Sequence, residues 1–195
     1  MSLSFFPLAF RMKYIGRWGL MRNSIPENLL EHSAECAMLA HALAEIGNTM
    51  YGKHYDAGEI AVKALYHDIS EIYTGDLPTP VKYANRDISK SYKDIEHSAC
   101  MTLCGKLPDA LEKRYEDFLD HESDEQTRRL VKAADKLCAL IKCMEEVQNG
   151  NREFSAALKA TRLSLDEMAK TSGELAYFMD TLLPEFEKTL DEQQS

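Results

Sequence analysis

The longest helical pattern in the chain, over residues 124–148, constrains the fold more than any other segment. Its apolar residues recur with the three- and four-residue spacing that lines one face of an α-helix. Similar patterns predict further helices over residues 32–47, 57–73, 87–105, 108–120, 154–170 and 173–190. No alternating run of useful strand length and no internal repeat accompanies them. The sequence therefore predicts an all-α fold, a bundle of six to seven helices in one domain over residues 1–195.

Turn-forming and capping residues separate these helices. Gly47-Asn48 is typical of a helix end. The segment 74–80, Thr-Gly-Asp-Leu-Pro-Thr-Pro, predicts a loop because one glycine and two prolines interrupt the helical pattern. Ser123 to Gln126 matches a capping box, in which the serine oxygen and the glutamine side chain each accept a free backbone N–H. We therefore expect the longest helix to begin there.

Composition and charge exclude several classes of function. The formal net charge of −9 argues against a nucleic-acid polymer as partner. No apolar run approaches the roughly 20 residues that a membrane span needs, and the apolar segment 5–10 lacks the flanks of a signal peptide. The five cysteines lack zinc-finger spacing, so reduced core thiols are expected. These features predict a cytoplasmic protein that does not bind membranes.

The basic residues are distributed unevenly along the chain. Residues 1–26 contain Arg11, Lys13, Arg17 and Arg22 and no Asp or Glu, whereas the rest of the chain is acidic. A basic segment on an acidic protein can attract a small anion such as a phosphate. It can equally dock on the acidic surface through ion pairs. Charge alone leaves both interpretations open.

The doublet His67-Asp68 is the strongest candidate for chemistry. Adjacent residues on a helix point about 100° apart, so both cannot face the core. Both can reach one ion at a seam with other helices, and imidazole nitrogen with carboxylate oxygen suits Mn, Fe, Co, Ni or Zn. Glu71, one turn after His67, could move a proton at such a site. The alternative for Glu71 is an ordinary carboxylate on the helix surface.

Two further candidate ligands lie in other helices. Asp135 lies within or at the margin of the apolar stripe of helix 124–148, and a buried carboxylate needs a cation, either a metal or a basic side chain. His32 stands one turn before Cys36 on an apolar face, where a lone histidine is usually a hydrogen-bonded structural residue. Together, two histidines and two aspartates would leave positions for water on an octahedral divalent ion, which acidifies water enough to make it a nucleophile.

In this order on a helical chain, the candidate ligands resemble the H…HD…D signature of the HD-domain metal-dependent phosphohydrolases. The surrounding sequence is more specific, because it resembles the bacterial 5′-deoxynucleotidases of the YfbR type. The segments that carry this resemblance are Arg17-Trp18, Leu20–Asn23, Glu27-Asn28, Glu31–Ser33, Tyr66–Asp68, Glu71, Thr74–Lys82, Ala134-Asp135 and Tyr177–Met179. The resemblance covers nearly the whole chain.

The resemblance implies both a cofactor and a reaction. The cofactor is one divalent transition metal ion, of which Co, Mn, Cu, Zn and Fe all stay open. Its implied ligands are His32, His67, Asp68 and Asp135. The reaction is hydrolysis of deoxyribonucleoside 5′-monophosphates, small-molecule substrates, to deoxynucleoside and phosphate.

The resemblance also implies roles for residues outside the metal set. Arg17 and Trp18 match the pair that contacts the nucleotide, although a lone tryptophan is more often a core residue. Glu71 and Asp76 match acidic residues beside the phosphate and sugar. We expect Glu71 to transfer a proton and Asp76 to position water or the sugar hydroxyl. Lys82 is expected to help Arg17 offset charge on the phosphoryl oxygens.

Two other functions stay open at the level of sequence. One is an HD-type hydrolase of another nucleotide, namely a cyclic nucleotide, a triphosphate or guanosine tetraphosphate. The other is a non-catalytic, metal-binding helical regulatory protein. Self-association fits each of them. The stretch Leu175–Met179 could be core or dimer surface, and the resemblance favours a homodimer.

Overall fold

The computed structural model describes residues 2–82, 85–119 and 124–194, which form helices and no named strand. The α-helices are α1 (Phe5–Ala9), α2 (Leu29–Tyr51), α3 (Ala57–Tyr66), α4 (Glu71–Thr74), α5 (Thr79–Lys82), α6 (Arg86–Cys104), α7 (Asp109–Leu119), α8 (Glu125–Gln148), α9 (Ser155–Ala169), α10 (Gly173–Tyr177) and α11 (Leu190–Gln193). Six of these helices have ten residues or more. The predicted all-α fold is confirmed.

Helix α2 is longer than the sequence predicts. It continues through Gly47 to Tyr51, so the predicted end at Gly47-Asn48 is wrong. Gly47 serves close packing instead, since a Cβ atom built there would lie 2.6 Å from Cε2 of Tyr55. The helix ends at Gly52, whose φ of +62° lies in the left-handed region that glycine adopts without steric cost.

The predicted helix over residues 57–73 is broken near its middle. Helix α3 ends at Tyr66, and a turn over residues 67–70 precedes α4, so the prediction of one continuous helix is wrong. The N–H of Ile69 donates to the carbonyl of Tyr66 at 3.0 Å, a bond three residues back that tightens the backbone. Ile69 is fully buried, and its burial holds the turn against the core. The candidate doublet therefore lies in a turn.

The start of α8 is close to the predicted position but has a different cap. The side chain of Asp124 accepts the backbone N–H groups of Gln126 and Thr127. The predicted capping residue Ser123 lies outside the described residues. An aspartate at this position also favours the positive end of the helix dipole.

The C-terminal helix predicted over residues 173–190 is interrupted, so that prediction is wrong in detail. Helix α10 passes into a π-helical turn, Phe178–Leu182, and then into a 3-10 helix, Leu183–Glu187. Pro184, which lacks a backbone N–H, lies near the start of the 3-10 helix and cannot continue an α-helical ladder. Leu175, Phe178 and Met179 are buried, so these three residues belong to the core.

Two clusters of buried apolar side chains hold the bundle together. The larger joins α2, α3, α8, α9 and α10, and the smaller joins the N-terminal helices with α6 and α7. Cys36 and Cys138 belong to the larger cluster, whereas Leu29 and Ile69 belong to the smaller one. Each of these four residues lies within one helical turn of a candidate ligand in the sequence. Both clusters therefore pack next to the candidate site.

The structure bears on two predictions made from composition, one about the cysteines and one about membrane spans. All five cysteines are buried, and the thiols of Cys36, Cys104, Cys138 and Cys143 are free, as the prediction of reduced core thiols requires. Among the helices in the described parts of the chain, none is long and apolar enough to cross a membrane.

Candidate active site

Three separate regions of the chain bring His32, His67 and Asp135 together. One ligand atom from each lies within 4.8 Å of the others. His32 Nε2 is 3.3 Å from His67 Nε2 and 3.4 Å from Asp135 Oδ1. Two imidazole nitrogens converging with a carboxylate oxygen form a donor set for a divalent transition metal. Helix α2, the 67–70 turn and helix α8 each supply one of these donors.

The negative charge around His32 favours a cation at this place. Burial alone would lower the pKa of His32, but hydrogen bonding to Asp135 and Cys138 raises it to about 10. The same surroundings that favour an imidazolium also favour a divalent ion between the ligands. The sequence predicts Asp135 either within the apolar stripe of α8 or at its margin. Its side chain is 40% exposed, so it lies at the margin.

Asp68 lies beside the three-residue group and contacts it through one oxygen. Its Oδ2 is 3.1 Å from His67 Nε2 and 3.4 Å from Arg17 Nη1. Burial would raise the pKa of Asp68, but the positive charges of His67, His32 and Arg17 hold it well below its usual range. Asp68 is therefore anionic, and it is the fourth donor within reach of the group.

The outer nitrogens of both histidines face oxygen atoms. His67 Nδ1 lies 2.6 Å from the carbonyl oxygen of Ala64. His32 Nδ1 is buried, has no hydrogen-bond partner among the described residues, and lies 3.6 Å from Glu27 Oε1. An oxygen at the outer nitrogen favours the tautomer that carries its proton there, which leaves Nε2 free to bind a metal. On this observation the residues present fit a divalent ion.

Glu27 is a site residue that the analysis of individual residues did not single out. Its Oε1 lies 3.4 Å from Arg17 Nε, and its Oε2 accepts a hydrogen bond from Trp18 Nε1 at 2.7 Å. Glu27 directly precedes Asn28, the N-cap of α2, whose capping box is complete. That box was the available sequence signal, because it places Glu27 at the start of the helix that carries His32.

Glu71 is buried beside two other carboxylates. The residue is only 5% exposed, and within the described part of the chain its Oε2 has no hydrogen-bond partner. Burial, followed by the charges of Asp68 and Asp76, raises the pKa of Glu71 to about 9. Glu71 therefore holds a proton at neutral pH and can donate it. The alternative of an ordinary surface carboxylate is wrong.

Asp76 and Lys82 flank this acid from the next part of the chain. The predicted 74–80 loop is shortened to residues 75–78, because α4 takes in Thr74 and α5 begins at residue 79. Lys82 Nζ donates to Glu96 Oε1 at 2.7 Å, so α6 holds the ammonium group. Its charge still acts on Glu71, whose pKa it lowers.

The basic N-terminal segment places one of its four cations at the site. Arg17 has a side chain only 11% exposed and contacts Asp68. Arg22 is 87% exposed at its side chain, and Arg11 and Lys13 lie over the ring of Tyr14, at 5.7 and 5.1 Å from its centroid. Local attraction of an anion at the site therefore falls to Arg17.

Trp18 is held in an unusual backbone conformation at the edge of the site. Its φ of +59° lies in the left-handed region, which costs a bulky residue on the order of 1–3 kcal/mol. The hydrogen bond to Glu27 and packing against Phe154, with ring centroids 5.3 Å apart, hold it there. The ring is only partly buried, so the core interpretation of this tryptophan is wrong.

Comparison with known proteins gives a consistent result over the whole chain. A sequence model of the 5′-deoxynucleotidase YfbR-like family matches residues 4–186. The 5′-deoxynucleotidase VV1113 of Vibrio vulnificus is 46% identical over 189 residues, which cover 96% of each chain. The 5′-deoxynucleotidase YfbR of Escherichia coli is 47% identical over 189 residues, covering 96% of this chain and 94% of that protein.

Solved structures share the fold at lower sequence identity. The HD-domain phosphohydrolase lin2634 of Listeria innocua superposes with a TM-score of 0.83 at 22% identity, covering 95% of this chain and 90% of that one. The HD phosphohydrolase DatZ of cyanophage S-2L, bound to dA and one catalytic Zn²⁺ ion, gives a TM-score of 0.65 at 18% identity, covering 95% and 99%. At these identities the likeness shows the fold alone.

Proposed function

The chain belongs to the YfbR-like 5′-deoxynucleotidase family, and from that premise we propose how its site acts on a deoxyribonucleoside 5′-monophosphate. The reaction is a metal-dependent phosphomonoester hydrolysis that yields the deoxynucleoside and phosphate. The observation that carries the proposed mechanism is the burial of Glu71 next to Asp68, the carboxylate that contacts the group of His32, His67 and Asp135; this burial raises the pKa of Glu71 to about 9. A proton donor next to a metal donor set assists cleavage of a phosphate ester, because the leaving oxygen is protonated as its bond to phosphorus breaks.

One divalent transition metal ion belongs in the site, with Co, Mn, Cu, Zn and Fe all suited to its nitrogen and oxygen donors. His32, His67 and Asp135 would hold it, with Asp68 as the fourth ligand. When bound, the ion supplies Lewis-acid polarisation of the phosphoryl group and acidification of water. Glu27 orients His32 for this role through the outer ring nitrogen.

The substrate phosphate is held and its charge offset by Arg17. Asp68 and Glu27 lie 3.4 Å from two different guanidinium nitrogens, so the group is oriented before substrate binds. A preoriented cation stabilises the extra charge that develops on the phosphoryl oxygens. Lys82 contributes at longer range because Glu96 holds its ammonium group.

Proton transfer and sugar recognition fall to the remaining residues. Glu71 donates its proton to the 5′-oxygen as the bond from phosphorus to that oxygen breaks. Asp76, whose charge acts on Glu71, positions the attacking water or the sugar hydroxyl. Trp18 packs against the sugar, and selection for deoxyribose follows from a pocket near Trp18 and Asp76 with no room or partner for a 2′-hydroxyl.

We further propose a cytoplasmic homodimer in which residues 1–195 act as one domain. A reducing compartment suits the free, buried thiols of Cys36, Cys104, Cys138 and Cys143. Ile25, Met38 and Phe186 are exposed around one pocket of about 380 Å³, and their apolar side chains offer surface for a second copy. A solution mass of twice the 22.1 kDa chain mass would support the dimer, and a mass equal to one chain would contradict it.

The activity is tested by phosphate release from metal-loaded protein on a paired panel of deoxyribo- and ribonucleoside 5′-monophosphates. His67→Ala and an EDTA-treated sample are the controls. We expect turnover of the deoxy set only, lost in both controls. Bound metal without phosphate release from any monophosphate would contradict the proposal. Cyclic nucleotides, triphosphates and guanosine tetraphosphate in the same assay then separate another hydrolase from a non-catalytic metal protein.

A further inference from the structure

An ion pair is buried in α8, beyond the part of the helix that carries Asp135. Lys142 and Glu146 are one turn apart, with 6% and 1% of their surfaces exposed, and Lys142 Nζ lies 2.5 Å from Glu146 Oε1. Taking two charges out of water is costly unless further hydrogen bonds satisfy both groups. The partners that satisfy this pair therefore show what it does.

Most of those partners belong to the N-terminal segment. Glu146 accepts the backbone N–H of Ser24 at 3.0 and 2.8 Å and that of Ile25 at 3.1 Å. Lys142 donates to the carbonyl oxygen of Ile25. Both charges of the pair thus bind the same stretch of backbone. That stretch follows Arg17 and Trp18 by only a few residues.

Asn151 joins a second part of the chain to the same pair. Its Nδ2 donates to Glu146 Oε2 at 2.8 Å and to the carbonyl oxygen of Arg22 at 2.7 Å. It is also the N-cap of a 3-10 turn that ends at Phe154. Phe154 is fully buried and packs against the ring of Trp18. One carboxylate therefore connects the segment that carries Trp18 with the aromatic ring against which Trp18 packs.

The segment from Arg17 to Ile25 is otherwise weakly held. It contains no helix, and Leu20 in its middle is 75% exposed. Glu27 holds the end near Arg17, where the Arg17 N–H also donates to the Glu27 carbonyl at 3.0 Å. The other end, at Ser24 and Ile25, is held by the buried pair. Its charge-assisted hydrogen bonds are about twice as strong as neutral ones.

We propose that Glu146, with Lys142 and Asn151, is a positioning unit for substrate binding. The unit touches no substrate. It holds the 22–25 backbone and Phe154, and through them it keeps the ring of Trp18 in place against the sugar of a deoxyribonucleoside 5′-monophosphate. The inference rests on the proposed function, because the deoxyribose contact of Trp18 is part of that proposal.

Trp18 is the only tryptophan in the chain, so its fluorescence reports this positioning without any need for turnover. In metal-loaded Glu146→Gln we expect acrylamide quenching of Trp18 to rise by about twofold or more, with the helical circular dichroism retained. For the deoxy substrates we expect KM to rise by about tenfold and kcat to change less, because substrate binding must then order the loosened segment around Trp18, at a cost that the bound substrate and the transition state share. The preference for deoxy- over ribonucleotides should fall.

Glu145→Gln is the matched control, because Glu145 is the exposed neighbour of Glu146 and loses the same charge. It should leave quenching, KM and kcat unchanged. Asn151→Ser is a second, milder variant, since serine can still cap the 3-10 turn but loses both amide hydrogen bonds. We expect it to raise quenching and KM in the same direction as Glu146→Gln and by less.

The outcomes separate the two proposals. If the wild type hydrolyses none of the monophosphates but the quenching changes as expected, the function is wrong and the positioning unit stands. If the wild type is active and both variants fold with unchanged quenching and unchanged KM, the positioning unit is wrong. Loss of the folded state in both variants would also overturn it, because the pair would then stabilise the bundle as a whole.

Discussion

The carboxylate of Glu27 lies 3.6 Å from Nδ1 of His32, on the side of the ring that faces away from the metal donors. Its other oxygen accepts the indole N–H of Trp18. One side chain therefore lies against both a proposed metal ligand and a residue expected to contact the nucleotide. A change at Glu27 should consequently affect metal binding and substrate binding together.

Replacing Glu27 by Gln is predicted to weaken metal binding. The amide can still accept the Trp18 hydrogen bond, but it lacks the negative charge that makes Nε2 of His32 a stronger ligand for a metal ion. Loss of such an outer partner typically costs about 10- to 100-fold in metal affinity. Calorimetric titration of the metal-free protein measures it, with Glu45→Gln, an exposed residue of the same helix, as control. Unchanged affinity in Glu27→Gln would contradict the orienting role.

Glu71 predicts a loss of activity in alkaline solution. Because its pKa is raised to about 9, the folded protein keeps this proton through neutral pH and loses it as the pH rises through about 9. A general acid works in its protonated form, so kcat should fall over that range. Glu71→Gln cannot donate a proton, so we expect kcat to fall by about 10²- to 10⁴-fold. The decrease of kcat at alkaline pH, here called the alkaline limit, should then disappear. The pH profile of kcat checks both.

The control for that experiment is Glu187→Gln, which makes the same carboxyl-to-amide change at an exposed position. It should keep the wild-type profile. Full activity of Glu71→Gln at neutral pH would show that the proton comes from another group.

Asp76 predicts a shift of the same alkaline limit. Its charge is one of the causes that raise the pKa of Glu71, after burial and Asp68. Asp76→Asn removes that charge, so Glu71 should lose its proton at lower pH and the limit should move in the acid direction. An exposed aspartate, Asp94, changed to Asn gives the control. A limit that stays in place in Asp76→Asn would show that the two carboxylates do not interact.

Two helical glycines predict opposite effects of alanine on stability. In Gly47→Ala the new Cβ would meet the Tyr55 ring at 2.6 Å, and such overpacking destabilises by about 1–3 kcal/mol. In Gly58→Ala the nearest atom to the new Cβ is 3.5 Å away. There alanine should raise the free energy of unfolding by about 0.5–1 kcal/mol, the helix-propensity difference. Urea unfolding of both variants tests the pair, and equal signs would contradict it.

Much of the fold could be predicted because helical periodicity is a local property. The stripe of α8 and the apolar face of α2 recur every three or four residues, and both helices lie near their predicted positions. The breaks were not predictable in this way. The turn at residues 67–70 accompanies burial of Ile69 in a cluster formed by distant helices, and Gly47 lies inside a helix where its missing side chain leaves room for the ring of Tyr55.

By itself, the sequence determined the helical class, the chemical types of the metal donors and the motif that places this chain in its family. Only the tertiary structure decided which groups meet and in what protonation state. It paired Lys82 with Glu96, buried Glu71 beside two carboxylates, and joined Ser24 to Glu146 across 122 positions. The physical reason is that helix periodicity arises between residues three or four apart, whereas burial and charge depend on distant segments that meet only when the chain is folded.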